Sequence, residues 1–201
     1  MVKNLTIGVI SIQGAISEHI FIMENALKAN NQSGKVILIK NKDEFDKIDA
    51  MIIPGGETTT ISKVLYKYGL YHEIQKIIDK DDLPIMGTCA GSVILASEIS
   101  DNDKDIKPFS AMDIRVKRNA FGRQRESFEY KLDIKGFSKP YNAVFIRAPA
   151  IEKVWNDCEV LASIGEKIVM AKQGNYLALS FHPELTDDLR IHRLFLNMIK
   201  K

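Results

Sequence analysis

The chain has 201 residues, 45% of them hydrophobic, with 28 Lys and Arg against 26 Asp and Glu. A net charge of +2 supplies no broad field for recruiting nucleic acid or an anionic membrane, and two cysteines cannot build a disulfide framework. Length and apolar content suit one domain over residues 1–201 with a substantial core. Charge balance is broken locally by Arg115, Lys117, Arg118, Arg123 and Arg125. Glu126 and Glu129 lie beside them, which favours local ion pairing or substrate contacts over nucleic acid. The first seven residues lack a leader-like cleavage region and no apolar stretch reaches membrane-spanning length, so an unprocessed, soluble protein is expected. The sparse cysteines point to a reducing, cytoplasmic setting, and no metal-ligand spacing is present.

Residues 5–12 form a β-branched run fit for a strand buried on both faces, and it closes at Gln13-Gly14. Ile16, Ile20, Met23 and Leu27 then recur at helical spacing, with Glu18, Glu24 and Lys28 on other faces, until Asn30-Asn31-Gln32-Ser33-Gly34 ends the pattern. Residues 36–39 and 50–53 read as the second and third strands, the latter stopping at Pro54-Gly55-Gly56. Helical patterns over 58–66 and 71–78 precede the apolar run Leu83-Pro84-Ile85-Met86. Strands alternating with helices at this spacing predict a parallel α/β sheet, whose ligands bind beyond the carboxyl ends of its strands.

Next comes Gly87-Thr88-Cys89-Ala90-Gly91, followed by the apolar run Val93-Ile94-Leu95-Ala96. Its G-x-C-x-G form is the cysteine counterpart of the nucleophile elbow, where a strand turns sharply into a helix and exposes its nucleophile. The glycines permit strained dihedrals and close strand–helix packing, Ala90 leaves room beside the sulfur, and the helix dipole favours a thiolate there. Taken alone, Cys89 reads equally well as a small buried hydrophobe.

Past a polar stretch at 101–108, residues 112–116, 143–147, 159–164, 167–172 and 176–180 read as strands without intervening helices, a β-rich and partly antiparallel half. Gly165-Glu166 supplies a hairpin turn. A last helix, from about Asp187, buries Ile191, Leu194, Phe195, Met198 and Ile199, with Asp187 and Asp188 near its positive end and Lys200 and Lys201 near its negative end.

A thiol nucleophile needs a base, and the base needs an orienting acceptor. Of the four histidines, His182 alone follows a strand-like run, and Glu184 lies two residues on, across Pro183. His72 and His192 fall in predicted helices as surface or packing residues. Gly55 and Gly56, consecutive at another strand end, expose backbone N–H groups, so that Gly56 together with Ala90 offers an oxyanion site.

Pro54-Gly55-Gly56, Gly87-Thr88-Cys89-Ala90-Gly91 and Phe181-His182-Pro183-Glu184 together resemble the three motifs of class I (triad) glutamine amidotransferases. More narrowly, the chain resembles the glutaminase subunits of pyridoxal 5′-phosphate synthase. That likeness is carried by Gly8-Val9-Ile10-Ser11-Ile12-Gln13-Gly14 with Glu18-His19, by Pro54-Gly55-Gly56-Glu57-Thr58, by Arg118-Asn119-Ala120-Phe121-Gly122-Arg123-Gln124 with Ser127-Phe128-Glu129, and by Phe145-Ile146-Arg147-Ala148-Pro149. Thr58-Thr59 stands where Ser-Thr is usual, and Ser11-Ile12 where Leu usually precedes Gln13. The resemblance implies a three-layer α/β fold with a mostly parallel central sheet and a β-rich second half. It implies a catalytic triad of Cys89, His182 and Glu184, an oxyanion hole at Gly56 and Ala90, and L-glutamine held near Gly55, Gly56, Glu57, Arg118, Ile146 and Arg147. Which arginine meets the substrate carboxylate is left open, and an ion pair of Arg118 with Glu126 or Glu129 is the plainer reading of its charge. No cofactor or metal is implied. The implied partner is a synthase subunit with a (β/α)₈ barrel, joined in a hetero-oligomer, which combines the ammonia with ribose 5-phosphate and glyceraldehyde 3-phosphate. Gln13, Glu18 and His19 would lie on the partner-facing side. Three rivals are weighed: the glutaminase subunit of another amidotransferase such as the histidine-pathway one, a peptidase or stress protein of the cysteine-elbow group, and a non-catalytic subunit of the same fold.

Overall fold

The computed structural model describes residues 4–81, 83–101, 105–122 and 127–199. Met1 to Lys3 of the leading segment, Arg123, Gln124, Arg125 and Glu126 of the central signature, and Lys200 and Lys201 lie outside the described residues.

Five strands run parallel to their neighbours in the order β2 (Gly34–Ile39), β1 (Leu5–Ile10), β3 (Ala50–Ile53), β4 (Ile85–Thr88), β12 (Tyr176–Leu179). Except in the edge strand β2, where Gly34 and Lys35 are exposed, their apolar runs are continuous because both faces are covered, and alternate residues sort to opposite sides. Leu5, Ile7, Val9, Ala50, Ile52, Met86, Leu177 and Leu179 enter one core; Met51, Ile53, Ile85 and Ala178 enter the other. The first core is closed by α1 (Ile16–Ala29) and α5 (Arg190–Leu196), the second by α2 (Thr58–Lys67), α3 (Leu70–Lys80) and α4 (Ala90–Leu95). Each large apolar side chain buried in these layers contributes about 1.5–3 kcal/mol.

Beyond β12 the sheet continues through β11 (Lys167–Gln173), β9 (Ala150–Val154), β6 (Met112–Lys117) and β5 (Ala96–Ile99), with β10 (Glu159–Ile164) on β11. Every pairing here is antiparallel except β5 with β6, and Gly165-Glu166 turns β10 into β11 as expected. A separate antiparallel ribbon, β7 (Ser127–Leu132) with β8 (Tyr141–Ile146), lays Leu132, Tyr141 and Phe145 on the first core.

Several expectations need correction. Strands β5, β7 and β9 occupy stretches without a predicted element. The elbow helix is only six residues long, and Ala96, at the end of its apolar run, already belongs to β5. The last helix begins at Arg190 rather than near Asp187, and Asp188 Oδ1 accepts the Arg190 N–H at 3.1 Å just before it. Leu194 and Met198 are only partly buried. Among the described residues no helix is long and apolar enough to cross a membrane.

Candidate active site

Strands β3, β4 and β12 are neighbours in register: Met51 and Tyr176 both align with Ile85, Ile53 with Gly87, and Leu179 with Thr88. Their carboxyl ends therefore emerge side by side, which brings Pro54-Gly55-Gly56, Cys89 and His182 to one edge of the sheet. The Cys89 N–H donates to Leu179 O at 2.8 Å and ties two of these ends together.

Cys89 carries the bend of the elbow itself, at φ 49° and ψ −109°. Such a conformation costs a non-glycine residue about 1–3 kcal/mol and persists only where its surroundings enforce it. The flanking glycines are needed for close approach rather than for strained dihedrals. A Cβ on Gly91 would meet Ile53 O at 2.1 Å, and one on Gly87 would meet the Gly91 carbonyl at 2.6 Å. Gly55 is excluded from carrying a side chain by two of the candidate triad residues: its Cβ would meet His182 Cε1 at 2.7 Å and Cys89 Cβ at 3.1 Å.

The imidazole of His182 donates from Nδ1 to Glu184 Oε1 at 2.7 Å. That fixes the tautomer and leaves Nε2 for the Cys89 thiol, whose proximity favours the charged imidazole. Burial disfavours the imidazolium, but the neighbouring Cys89 and the bond and charge of Glu184 outweigh it and raise the His182 pKa to about 10. Glu184 is itself buried, which alone would push its pKa up; His19 and the hydrogen bond and charge of His182 hold it below the usual carboxylate range. His19 is kept neutral by burial, so near neutrality His182 supplies the larger part of that hold. A helix of six residues has little dipole to offer Cys89, and the imidazolium is the cation at hand.

Beside these groups opens a cavity of about 490 Å³. Its wall includes Cys89, Ala90 and His182 together with all six residues expected to hold substrate, Gly55, Gly56, Glu57, Arg118, Ile146 and Arg147. A cavity of about 530 Å³ elsewhere, bounded by Phe45, Lys76 and Asn175, contains no histidine or cysteine and none of the motifs. Three non-glycine residues of positive φ line the smaller cavity, Cys89, Asn119 and Arg147, a concentration of backbone strain typical of functional sites. The ribbon braces it: His182 N–H donates to Val144 O at 2.8 Å, and Ile146 O lies 3.8 Å from Cys89 Sγ as its acceptor.

Other residues fall differently from expectation. The guanidinium of Arg118 is engaged by Asp101, at 3.2 Å from Nη2 to the carbonyl and 3.4 Å from Nε to Oδ2, while Glu129 accepts instead from Asn142 at 2.6 Å. Glu57 lines the cavity, but its carboxylate caps α2, accepting the N–H groups of Thr59 and Thr60 at 3.1 and 2.7 Å and both their hydroxyls. Burial opposes this ionisation, yet those bonds bring the Glu57 pKa down to about 2. His19 is fully buried and so cannot present itself on a partner-facing surface. Two further residues at the site, Thr88 and Asp101, are not singled out by the sequence pattern. Thr88 is a buried hydroxyl in an otherwise apolar strand, and that contrast was its only signal; its Oγ1 accepts the Gly55 N–H at 3.1 Å. Among the described residues no group of three or more His, Cys, Asp or Glu could hold a metal.

A sheet of this order, with a cysteine elbow flanked by a glycine turn and a histidine turn, has the fold of class I glutamine amidotransferases. A solved structure titled as a glutamine amidotransferase superposes with a TM-score of 0.84 at 40% identity, over 96% of this chain and 98% of that one. A solved PurLQS structure from Thermotoga maritima, at 16% identity and a TM-score of 0.67, shares the fold over 98% of this chain and 100% of its own. The model of the SNO glutamine amidotransferase family matches residues 9–201, and the chain belongs to that family. It is 45% identical over 197 residues to the pyridoxal 5′-phosphate synthase subunit PdxT of Brevibacillus brevis, covering 98% of each chain. With the protein of the same name from Archaeoglobus fulgidus it shares 46% over 197 residues, covering 96% of this chain and 98% of that one.

Proposed function

We propose that this chain, acting as one domain over residues 1–201, is the glutaminase subunit of a pyridoxal 5′-phosphate synthase: it hydrolyses L-glutamine to L-glutamate and delivers the ammonia to a synthase partner. The convergence of Cys89, after β4, with His182 and Glu184, after the neighbouring β12, and the His182–Glu184 bond at 2.7 Å are the observation that carries this reading.

The geometry supports the following steps. The Cys89 thiolate, paired with the His182 imidazolium, attacks the side-chain amide carbon of glutamine; the backbone N–H groups of Ala90 and Gly56 receive the developing oxyanion. As first residue of α4, Ala90 has an N–H without an intrahelical acceptor. His182 gives its proton to the departing nitrogen, and ammonia leaves a γ-glutamyl thioester on Cys89. The imidazole, now neutral and held by Glu184, takes a proton from water as the water attacks the thioester, and glutamate is released. Arg118 and Arg147 supply guanidinium groups in the cavity wall for the substrate carboxylate.

Free in neutral water, ammonia would be protonated and lost as a nucleophile, so its use requires a shielded route into a second active site. The names of the relatives support a synthase subunit as the owner of that site, and the resemblance favours a (β/α)₈ barrel in a hetero-oligomer. Glutamate release, measured with and without the synthase subunit, is expected to rise strongly in the complex. Cys89→Ala should lower it on the order of 10⁴-fold or more. Turnover unchanged in that variant would remove Cys89 as nucleophile, and capture of a different acceptor enzyme by this chain would assign it to another amidotransferase.

A further inference from the structure

A second tier of buried histidines lies behind the proposed triad, and the steps above leave it unused. His19, on the first turn of α1, is fully enclosed, with Nε2 at 3.2 Å from Thr88 Oγ1 and 3.4 Å from Glu184 Oε2. The Glu184 carboxylate is thus flanked by two imidazoles. Oε1 accepts from His182, whereas Oε2 has no formed hydrogen bond among the described residues. A buried carboxylate oxygen without a donor is unfavourable, and His19 Nε2 is the donor in reach.

We propose that His19 is a positioning residue for the triad acid: its Nε2–H holds Glu184 Oε2, so that Oε1 stays aimed at His182. This inference rests on the triad reading given above. A lone pair on Nε2 would face the carboxylate oxygen, so the proton belongs on Nε2 and not on Nδ1. Burial is the chief reason that His19 stays neutral; Glu184 and Glu18 favour its charged form and His182 opposes it. From α5, His192 packs edge-on against His19, with ring centroids 6.4 Å apart, and is also held neutral by burial. Neutrality suits the role, because an imidazolium at His19 would compete with His182 for the carboxylate. The same Nε2 lies beside the Thr88 hydroxyl that accepts the Gly55 N–H, so one imidazole ties the triad acid to the end of β4 that bears Cys89 and, through Thr88, to the glycine turn after β3.

The test compares His19→Leu and His19→Gln in the full chain bound to its synthase subunit, with Glu184→Gln as reference. Leucine keeps apolar bulk and removes the donor, while glutamine places an amide N–H near the position of Nε2. His19→Leu should lower kcat for glutamate release by about tenfold to a hundredfold with KM little changed. It should also move the acid limb of kcat/KM, and of Cys89 alkylation by iodoacetamide read on the Cys89 peptide, to higher pH. His19→Gln should return both toward wild type. If the leucine variant does not fold, His19→Asn, whose amide falls short of Nε2, replaces it. Equal behaviour of the two folded variants would overturn the proposal, as would a silent His19→Leu beside a severe Glu184→Gln. A Glu184→Gln enzyme with wild-type rate and pH profile would instead remove the triad reading itself.

Discussion

The two halves of the sheet serve the cavity in different ways. From β2 to β12 every pairing is parallel, so strand ends accumulate on one edge, and that edge receives the glycine turn, the cysteine elbow and the histidine turn. From β11 to β5 most pairings are antiparallel, and successive ends point in opposite directions. Among the described residues, the Arg118-Asn119 turn after β6 and Pro149 before β9 reach the cavity from this side, joined by Ile146-Arg147 after β8 of the ribbon. The parallel half carries the proposed triad, and the antiparallel half with its ribbon adds much of the remaining wall and its braces. Substitutions in the first should therefore act on kcat and those in the second on KM.

Gly55→Ala tests the first part of that contrast. Its Cβ would press on His182 Cε1 and Cys89 Cβ without removing any reacting atom, and kcat should fall on the order of 10²-fold while the chain still folds. Steady-state kinetics in the complex, with a thermal melt as control, would reveal whether displacement alone suffices; wild-type kcat would mean the imidazole does not need its observed place. Arg118→Met addresses the second part. Loss of a charged contact to the substrate carboxylate should raise KM for glutamine about tenfold, with kcat changed much less. A fall in kcat alone would move Arg118 from the walls to the chemistry.

The smallest effect concerns stability beneath the parallel half. Burial lowers the His192 pKa to about 3, and His19 shifts in the same direction. As pH falls below 6.5 the unfolded chain takes up protons that the native state refuses, so stability drops by up to about 1.4 kcal/mol per pH unit for each such histidine. His182 has the opposite sign, its contribution being complete below 6.5 and lost as pH rises toward 10. The contribution of Glu184 is lost only as pH falls below its ordinary value near 4.5. Urea midpoints between pH 6.5 and 5 therefore isolate the buried histidines, and His192→Met should flatten the slope by one proton. An unchanged slope would show that His192 is charged or solvated in the native state.

Much of the parallel half is legible in the sequence because strands covered on both faces read as apolar runs that stop at glycine or proline. The antiparallel half hides more. Strand β5 starts where α4 ends, so a single apolar run spans both. Strand β7, Ser-Phe-Glu-Tyr-Lys-Leu, is mostly exposed and pairs only with β8, leaving little hydrophobic pattern to read. Strand β9 buries Ala150 and Ile151 and then runs into Glu152 and Lys153, too short an apolar signal to stand out. His19 was legible in part: it falls three residues after Ile16 and four before Met23, on the core face of α1, although its polarity suggests a surface place. Its contacts with Thr88 and Glu184 join residues far apart in the chain, and no local pattern encodes them.

If Cys89 is the nucleophile, glutamine must occupy the cavity beside it. The most direct measurement is intact and peptide mass after treating the full chain, bound to its synthase subunit, with a diazoketone analogue of glutamine. One adduct on the Cys89 peptide, suppressed by excess glutamine and lost in Cys89→Ala, is the predicted result. Labelling at Cys158, or continued glutamate release from a chain that takes up no label, would contradict it.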